Sequence, residues 1–206
     1  MNLGSMKDAV YALSGYPTDD GLVTPTVVVG AINNALALIA GEADWPWMRT
    51  STTFASVAGT AAYAVPIGWV RTTKITDPDG YPLIEGNARE LEDDFGLDVG
   101  TPRYWTVDLE QIELRPIPDA VLTYTHHYVR TEKELAADTE TPYLPATWHR
   151  AVVQLALVDV HEAGRNPERA EAALKRYERE WRSRMLDDRR RMRGAVRPRV
   201  RDGSAL

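Results

Sequence analysis

The four histidines are the residues best suited to acid–base or metal chemistry, because the sequence contains no cysteine. His126 and His127 are adjacent in a β-rich run, so their side chains are expected on opposite faces of a strand and cannot share a metal ion. His149 and His161 are twelve positions apart along one predicted helix, which is too far to share a ligand. No glycine-rich phosphate loop or Gly-x-Ser-x-Gly element is present. We therefore expect no catalytic residues, no metal and no cofactor.

An acidic cluster is the second candidate, because hard cations prefer several carboxylate ligands. Its members are Glu90, Glu92, Asp93, Asp94 and Asp98. The spacing lacks the alternating oxygen ligands and the glycine of a calcium loop, so a solvated face is the favoured interpretation.

An arginine run near the C-terminus makes the clearest physical demand. It consists of Arg182, Arg184, Arg189, Arg190, Arg191, Arg193, Arg197, Arg199 and Arg201. Arginines can neutralise nucleic-acid phosphates, but no aromatic residue follows Trp181 to stack on bases. Docking on an acidic protein also accounts for the interspersed valines, which can pack or add a strand. The predicted partner-binding residues are Arg189, Arg190, Arg191, Arg193, Val196, Arg197, Arg199, Val200 and Arg201, and nucleic-acid binding remains the alternative.

The charge is unevenly divided along the chain. Of the 206 residues, those from Arg182 onward carry nine arginines and three aspartates, a net charge of +6, within a total of −6. The remainder, with 15 basic and 27 acidic residues, has a net charge of −12. Such a split indicates that the basic tail has its own partner.

The composition predicts a folded, soluble protein of one domain, or one domain with an insertion. Hydrophobic residues make up 44% of the chain, which is enough for a core, and no apolar run is long enough to cross a bilayer. No secretory signal is recognisable, so we expect synthesis in the cytoplasm. Six tryptophans and nine tyrosines are typical of proteins that form interfaces.

Two helices are predicted at the N-terminus. Ser5 is the expected N-cap of the first, which ends at Ser14. The second has Thr24 as its cap and Pro25 in its first turn, and apolar residues recur at helical spacing until Gly41. Its apolar stripe requires partner helices.

From residue 50 to about 130, short β-rich runs alternate with turn residues. The predicted strands are 52–57, 61–65, 69–76, 81–84, 102–107, 111–114 and 121–129. We expect the first two to form a hairpin through the turn at 58–60. The next two are joined by Asp77–Gly80, a strong turn sequence. Residues 87–95 are predicted to form a short exposed helix.

A helix hairpin is predicted in the C-terminal part. Pro145 opens a helix that is apolar on nearly every side and ends at Gly164, and Asn166 and Pro167 begin the next. The second helix is expected to turn one stripe inward, formed by Ala170, Ala173, Leu174, Tyr177, Trp181 and Met185. Beyond Arg193 the chain has little to bury and is expected to be disordered in the isolated protein.

The whole pattern resembles the head-to-tail adaptor, or connector, proteins of tailed bacteriophages. The resemblance lies in residues 39–47, 53–66 and 143–162, with 100–104 and 114–118 as matching sheet segments. It implies an α+β fold, namely an antiparallel helical bundle with an inserted antiparallel β-sheet or small sandwich and an extended C-terminal arm. The expected divisions are 1–49, 50–131, 132–193 and 194–206.

The resemblance also implies a structural, non-catalytic role in the virion neck. Such adaptors form a ring, usually twelvefold, beneath the portal, which their C-terminal arms contact, while the lower face receives the next tail component. DNA would pass through the channel without specific binding, and no membrane is involved. The arginine-dense arm departs from the family pattern and keeps a nucleic-acid-binding protein open as the alternative, with a small hydrolase as a distant third.

Overall fold

The computed structural model describes residues 1–18 and 20–194. The described residues divide into two compact units: a helical unit, formed by residues 1–47 and 132–194, and a β unit, formed by residues 48–131. Helices and mainly antiparallel sheets occur together, so the predicted α+β class is confirmed. Among the described residues, no helix is both long and apolar enough to cross a membrane.

The helices follow the sequence signals closely. They are α1 (Leu3–Ser14), α2 (Pro25–Gly41), α3 (Ala88–Phe95), α4 (His149–Ala163), α5 (Pro167–Tyr177) and α6 (Ser183–Gly194). The predicted cap of α1 is wrong: the Ser5 backbone N–H donates to Asn2 Oδ1 at 2.9 Å, which makes Asn2 the cap and adds a turn. The first backbone N–H groups of a helix have no partner within the helix. The side chain of Asn2 can therefore accept a hydrogen bond from the Ser5 N–H.

α4 is the centre of the helical unit. It follows a 3₁₀ turn at Ala146–Trp148 and contacts α1, α2 and α5. Most of its residues are buried, as its apolar surface on nearly every side predicts. Gly164 ends it, and a Cβ atom there would meet the Tyr16 hydroxyl and ring, so a larger residue would require the Tyr16 side chain to move.

The amphipathic helix that follows is interrupted by a wider turn. Asn166 caps α5 by accepting from the Arg169 backbone N–H, as predicted. A π turn at Glu178–Arg182 then joins α5 to α6. Of the predicted inward stripe, Leu174 is wrong, because it is 39% exposed while its neighbour Ala173 is buried.

The β unit contains nine strands in the region that the structure describes. They are β1 (Arg49–Ala55), β2 (Ala62–Ala64), β3 (Trp69–Thr76), β4 (Ile84–Glu85), β5 (Val99–Gly100), β6 (Tyr104–Asp108), β7 (Gln111–Arg115), β8 (Ile117–Pro118) and β9 (Thr123–Arg130). The sheet orders are β1-β9-β3, β2-β7-β6-β4 and β5-β8. The short pairs β4–β6 and β5–β8 are parallel, which the sequence did not predict.

The predicted hairpin between 52–57 and 61–65 is wrong. β1 pairs with β9 through seven residue positions, whereas β2 has three residues and pairs with β7 in the other sheet. The eight-residue β9 offers β1 a full-length ladder, which a three-residue strand cannot match. Residues 56–61 form a connection long enough to reach the second sheet.

The predicted return strand at 81–84 forms only in part. The Asp77–Gly80 turn forms as expected, with the Gly80 N–H donating to the Asp77 carbonyl at 3.0 Å. The chain then returns beside β3 through an antiparallel bridge between Thr76 and Pro82 and a bond from the Leu83 N–H to the Ile75 carbonyl at 2.8 Å, but no regular ladder forms, since proline has no N–H to donate. The core of the β unit gathers instead around Ile75, Leu83, Trp105, Ile112, Leu114 and Tyr124.

Candidate functional site

Within the described residues, the arginine run lies in the π turn that follows α5 and in α6. The preceding turns already hold a ladder of ion pairs: Arg176 Nε lies 3.2 Å from Glu180 Oε2, and Arg182 Nε lies 3.1 Å from Glu42 Oε1. Each pair is partly exposed, so it contributes little stability and mainly orients the side chains. Burial, followed by the nearby Glu42 carboxylate, raises the pKa of Tyr177 far above its usual range. The ion pairs therefore orient the charged side chains that precede α6.

The structure describes four of the predicted partner-binding residues, Arg189, Arg190, Arg191 and Arg193. Arg190 is exposed, and its guanidinium lies 3.5 Å from Asp187 in an i,i+3 pair. Arg189 is half-buried, and its Nε atom has no hydrogen-bond partner within the described residues. Arg191 and Arg193 lie within α6. Val196, Arg197, Arg199, Val200 and Arg201 lie outside the described residues.

The four histidines are separate, as the sequence analysis expected, and each sits in a structural setting. His126 is fully buried in β9, and its Nε2 lies 2.8 Å from Thr72 Oγ1. Burial, with a smaller effect from His127, lowers the pKa of His126 to about 4. His149 donates from Nε2 to the Leu144 carbonyl oxygen at 2.9 Å, because a carbonyl can only accept.

Burial also lowers the pKa of the other three histidines. For His149 desolvation is the largest cause, and for His161 the charge of Arg169 adds to it. Lys74 adds to the effect on His127. Across the described residues, no three His, Cys, Asp or Glu side chains are grouped so that they could hold a metal ion.

A cavity of about 370 Å³ opens between α1, α4 and the π turn. It is lined by Met1, Ala9, Ala12, Leu13, Arg150, Val153, Gln154, Arg176 and Trp181. This lining contains no carboxylate, histidine or cysteine that could act as a nucleophile, a general base or a metal ligand. Its chemistry suits an apolar or anionic contact rather than a reaction.

Two charged surfaces lie on the β unit. The predicted acidic residues are exposed on α3 and just beyond it, as a solvated face requires. The second surface was missed by the sequence analysis: it lies on the outer face of the sheet β1-β9-β3. Arg49 and Arg71 both pair with Val129, and Ser51 and Lys74 both pair with His127.

We call this second surface the basic sheet face, defined by Arg49, Arg71, Lys74 and His127. Residues paired across adjacent strands lie on the same face of a sheet, so the cations Arg49, Arg71 and Lys74 share one face with His127. Arg49, Lys74 and His127 also line one shallow cavity with Thr50, Ser51 and Thr73. In the sequence, Arg71 follows Arg49 by 22 residues and Lys74 follows Arg71 by 3 residues, so only the strand pairing shows that the three cations lie together.

The comparison with protein families gives a match. The family model described as SU10 adaptor protein matches residues 1–199. This range includes the helical unit, the β unit and most of the arginine run. No curated protein matches the chain.

Proposed function

The chain belongs to the SU10 adaptor protein family, and from this premise we propose that it is a ring-forming head-to-tail adaptor in the neck of a bacteriophage. The family match makes it a structural phage protein that connects other virion components. The finer proposal is that several copies, usually twelve in such rings, sit between the portal and the tail. The ring would line the channel through which DNA passes without specific binding.

The observation that carries this proposal is the family match over nearly the whole chain, and the charge division supports it. The chain up to Trp181 has a net charge of −12, which repels passing DNA and limits sticking in a channel. The arginine run begins at the end of the π turn that follows α5, and α5 packs on α4 in the helical unit. A basic segment with so little apolar content gains order from a partner's surface rather than from its own core.

The proposed architecture is a helical bundle interrupted by a β insertion. The helical unit brings together α1, α2, α4 and α5 from both ends of the sequence. The β unit occupies one continuous stretch between them, as an insertion does. We propose that the bundle holds the ring subunit in shape and that the arm is extended.

We propose a non-catalytic role. Desolvation lowers the pKa of the buried His126 and His149 and favours the neutral imidazole, and their Nε2 atoms are engaged by the Thr72 hydroxyl and by the Leu144 carbonyl oxygen. A general base needs an acceptor nitrogen within reach of a substrate, and burial denies that access.

The proposed portal-binding residues are Arg189, Arg190, Arg191, Arg193, Val196, Arg197, Arg199, Val200 and Arg201. Their guanidinium groups would pair with portal carboxylates, often in bidentate geometry, while the valines pack or pair as a strand. Several such pairs together would compensate for the entropy lost when the arginine side chains are fixed on the portal.

Truncation after Arg193 tests the arm. The shortened chain should melt like the full chain, because the removed residues have few apolar side chains to bury, but it should no longer bind purified portal rings. Arg179→Glu provides a control, since it reverses an exposed charge away from the arm. Normal portal binding by the truncated chain would contradict the proposed role of the arm.

The same material separates the alternative, a nucleic-acid-binding protein. Titrating labelled duplex DNA against the full and truncated chains at several salt concentrations measures the arm's phosphate contacts. Loss of DNA binding together with unchanged portal binding would favour the alternative. We expect the opposite result.

A further inference from the structure

The basic sheet face depends on two irregularities in β3. The pairing between β3 and β9 shifts between Trp69 and Arg71 and again between Thr72 and Lys74. In a regular strand, Arg71 and Lys74 are three positions apart and would point to opposite faces. The second shift leaves an extra residue between Arg71 and Lys74, which brings both onto the face occupied by His127 and Val129. Bulges of this kind are common near functional sites, where they change the direction of a side chain.

This face is open to solvent at its cations. Arg49, Arg71 and Lys74 are exposed, as are Ser51 and Thr53 in the neighbouring strand. Arg49 and Arg71 lie on either side of Val129, and Ser51 and Lys74 lie on either side of His127, so the face offers positive charge together with a hydroxyl group. Such a surface suits a partner that carries several carboxylates.

A matching acidic surface lies in the same unit. The exposed acids of α3 are Glu90, Glu92, Asp93 and Asp94, and Asp98 follows the helix. Glu90 and Asp94 are four residues apart and therefore lie on one side of the helix. The β unit thus carries two different surfaces of opposite charge.

A ring requires two such surfaces on every subunit. In a closed cyclic ring with more than two members, each contact joins one patch to a different patch on the next copy. We propose that, in the ring, the basic sheet face of one subunit docks on α3 of the next subunit. This inference rests on the proposed function, and it names the partner as a second copy of this chain.

The charge of the β unit favours a protein over DNA as the occupant. Residues 48–131 contain seven basic and twelve acidic side chains, so the unit repels a polyanion at long range. A second copy brings its acids on one short helix, where they can meet the basic sheet face while the like charges elsewhere remain apart. Complementary charged patches also steer encounter and fix orientation.

Charge reversal with complementary rescue tests this contact. One variant carries Arg71→Glu and Lys74→Glu, and the other carries Glu90→Lys and Asp94→Lys. Each variant alone should lose ring formation on portal, with a fall of about tenfold or more in the association constant. A 1:1 mixture should form rings of alternating variants, because each reversed sheet face then meets a reversed α3 of opposite charge, and each unaltered sheet face meets an unaltered α3. A chain with all four changes should assemble by itself.

The control for the first variant is Lys175→Glu with Arg179→Glu, which makes the same charge change on exposed positions of α5 and the π turn. Circular dichroism and melting confirm that each variant is folded, and negative-stain images with native mass spectrometry count the assembled copies. Rings formed by both reversed variants alone would overturn the inference, as would a folded mixture without rescue. Loss of DNA binding with normal rings would assign the basic sheet face to DNA instead.

The proposed function fails separately. If the unaltered chain forms no ring with portal, the adaptor ring is overturned, whatever the variants do. The patch contact is then measured as a heterodimer in the 1:1 mixture by native mass spectrometry, and its absence overturns the inference as well.

Discussion

The helical unit and the β unit bury their apolar residues in different ways. The helical unit is built around one helix, α4, whose residues are mostly buried. The β unit leaves large apolar side chains on its surface: Ile67, Tyr81, Leu97, Leu109 and Val121 are each at least 69% exposed, while Leu13, the most exposed large apolar residue of the helical unit among those whose burial is described, is at 58%. The helical unit is thus the more self-contained, and the β unit offers more surface to neighbours.

Trp148→Ala should have the largest effect on stability. Trp148 is 9% exposed at the start of α4, and its ring meets Trp181 edge-on at 6.5 Å. Its removal should cost about 3–5 kcal/mol, because a large cavity remains beside the central helix. Urea unfolding measures the change, with the exposed Leu174→Ala as the control expected within about 1 kcal/mol. An unchanged unfolding midpoint would show that α4 is not the centre of the core.

Leu114→Ala tests whether the β unit has a core of its own. Leu114 is fully buried in β7 within the cluster around Trp105. The expected loss is about 3 kcal/mol. Leu109→Ala, at an exposed tip of the same hairpin, should change stability little. Amide hydrogen exchange should show the loss mainly in β6, β7 and β9, and uniform loss across α4 would contradict the division into two units.

The pH dependence of stability should involve His126 of the β unit. Its folded pKa of about 4 lies below the ordinary value of 6.5, so the unfolded chain binds the proton first as the pH falls. Its contribution is therefore complete above about pH 6.5 and is lost toward pH 4, an effect of about 3 kcal/mol.

The check for this effect is His126→Gln, which should flatten the slope of unfolding free energy against pH between 4 and 6.5. The slope should not vanish, because burial also lowers the pKa of His149 and His161 in the helical unit. A slope equal to that of the unaltered chain would contradict the assignment to His126.

Asn166→Ala should have a smaller effect, limited to the start of α5. The Asn166 side chain accepts from the Arg169 N–H at 3.2 Å, and its loss should cost about 1 kcal/mol. Asn166→Gly should cost only a few tenths, since glycine is tolerated at a cap. Equal losses for the two variants, measured by thermal unfolding, would indicate that the side-chain bond is not the stabilising contact.

The sequence predicted the helices well because their signals are local. Thr24 and Asn166 each cap a helix, and the spacing of the apolar residues identifies the faces of α2 and α4. Strand positions were also largely found, but strand partners were not: nothing near Thr53 indicates that it pairs with Thr125, 72 residues away. The basic sheet face was missed for the same reason, because it depends on non-local pairing and on shifts in β3.

The π turn at Glu178–Arg182 has a consequence for the direction in which the arginines project. Met185 is eight residues after Tyr177, and in an uninterrupted α-helix that spacing would rotate it about 80° away from the buried face. The wider turn absorbs the surplus residue, so Met185 returns to the interior and is 2% exposed. The helix behaves as if one residue had been inserted and its phase then reset. Deleting a single residue within the turn would restore a uniform helix and would turn Arg189 and Arg190 toward a different side of the helix.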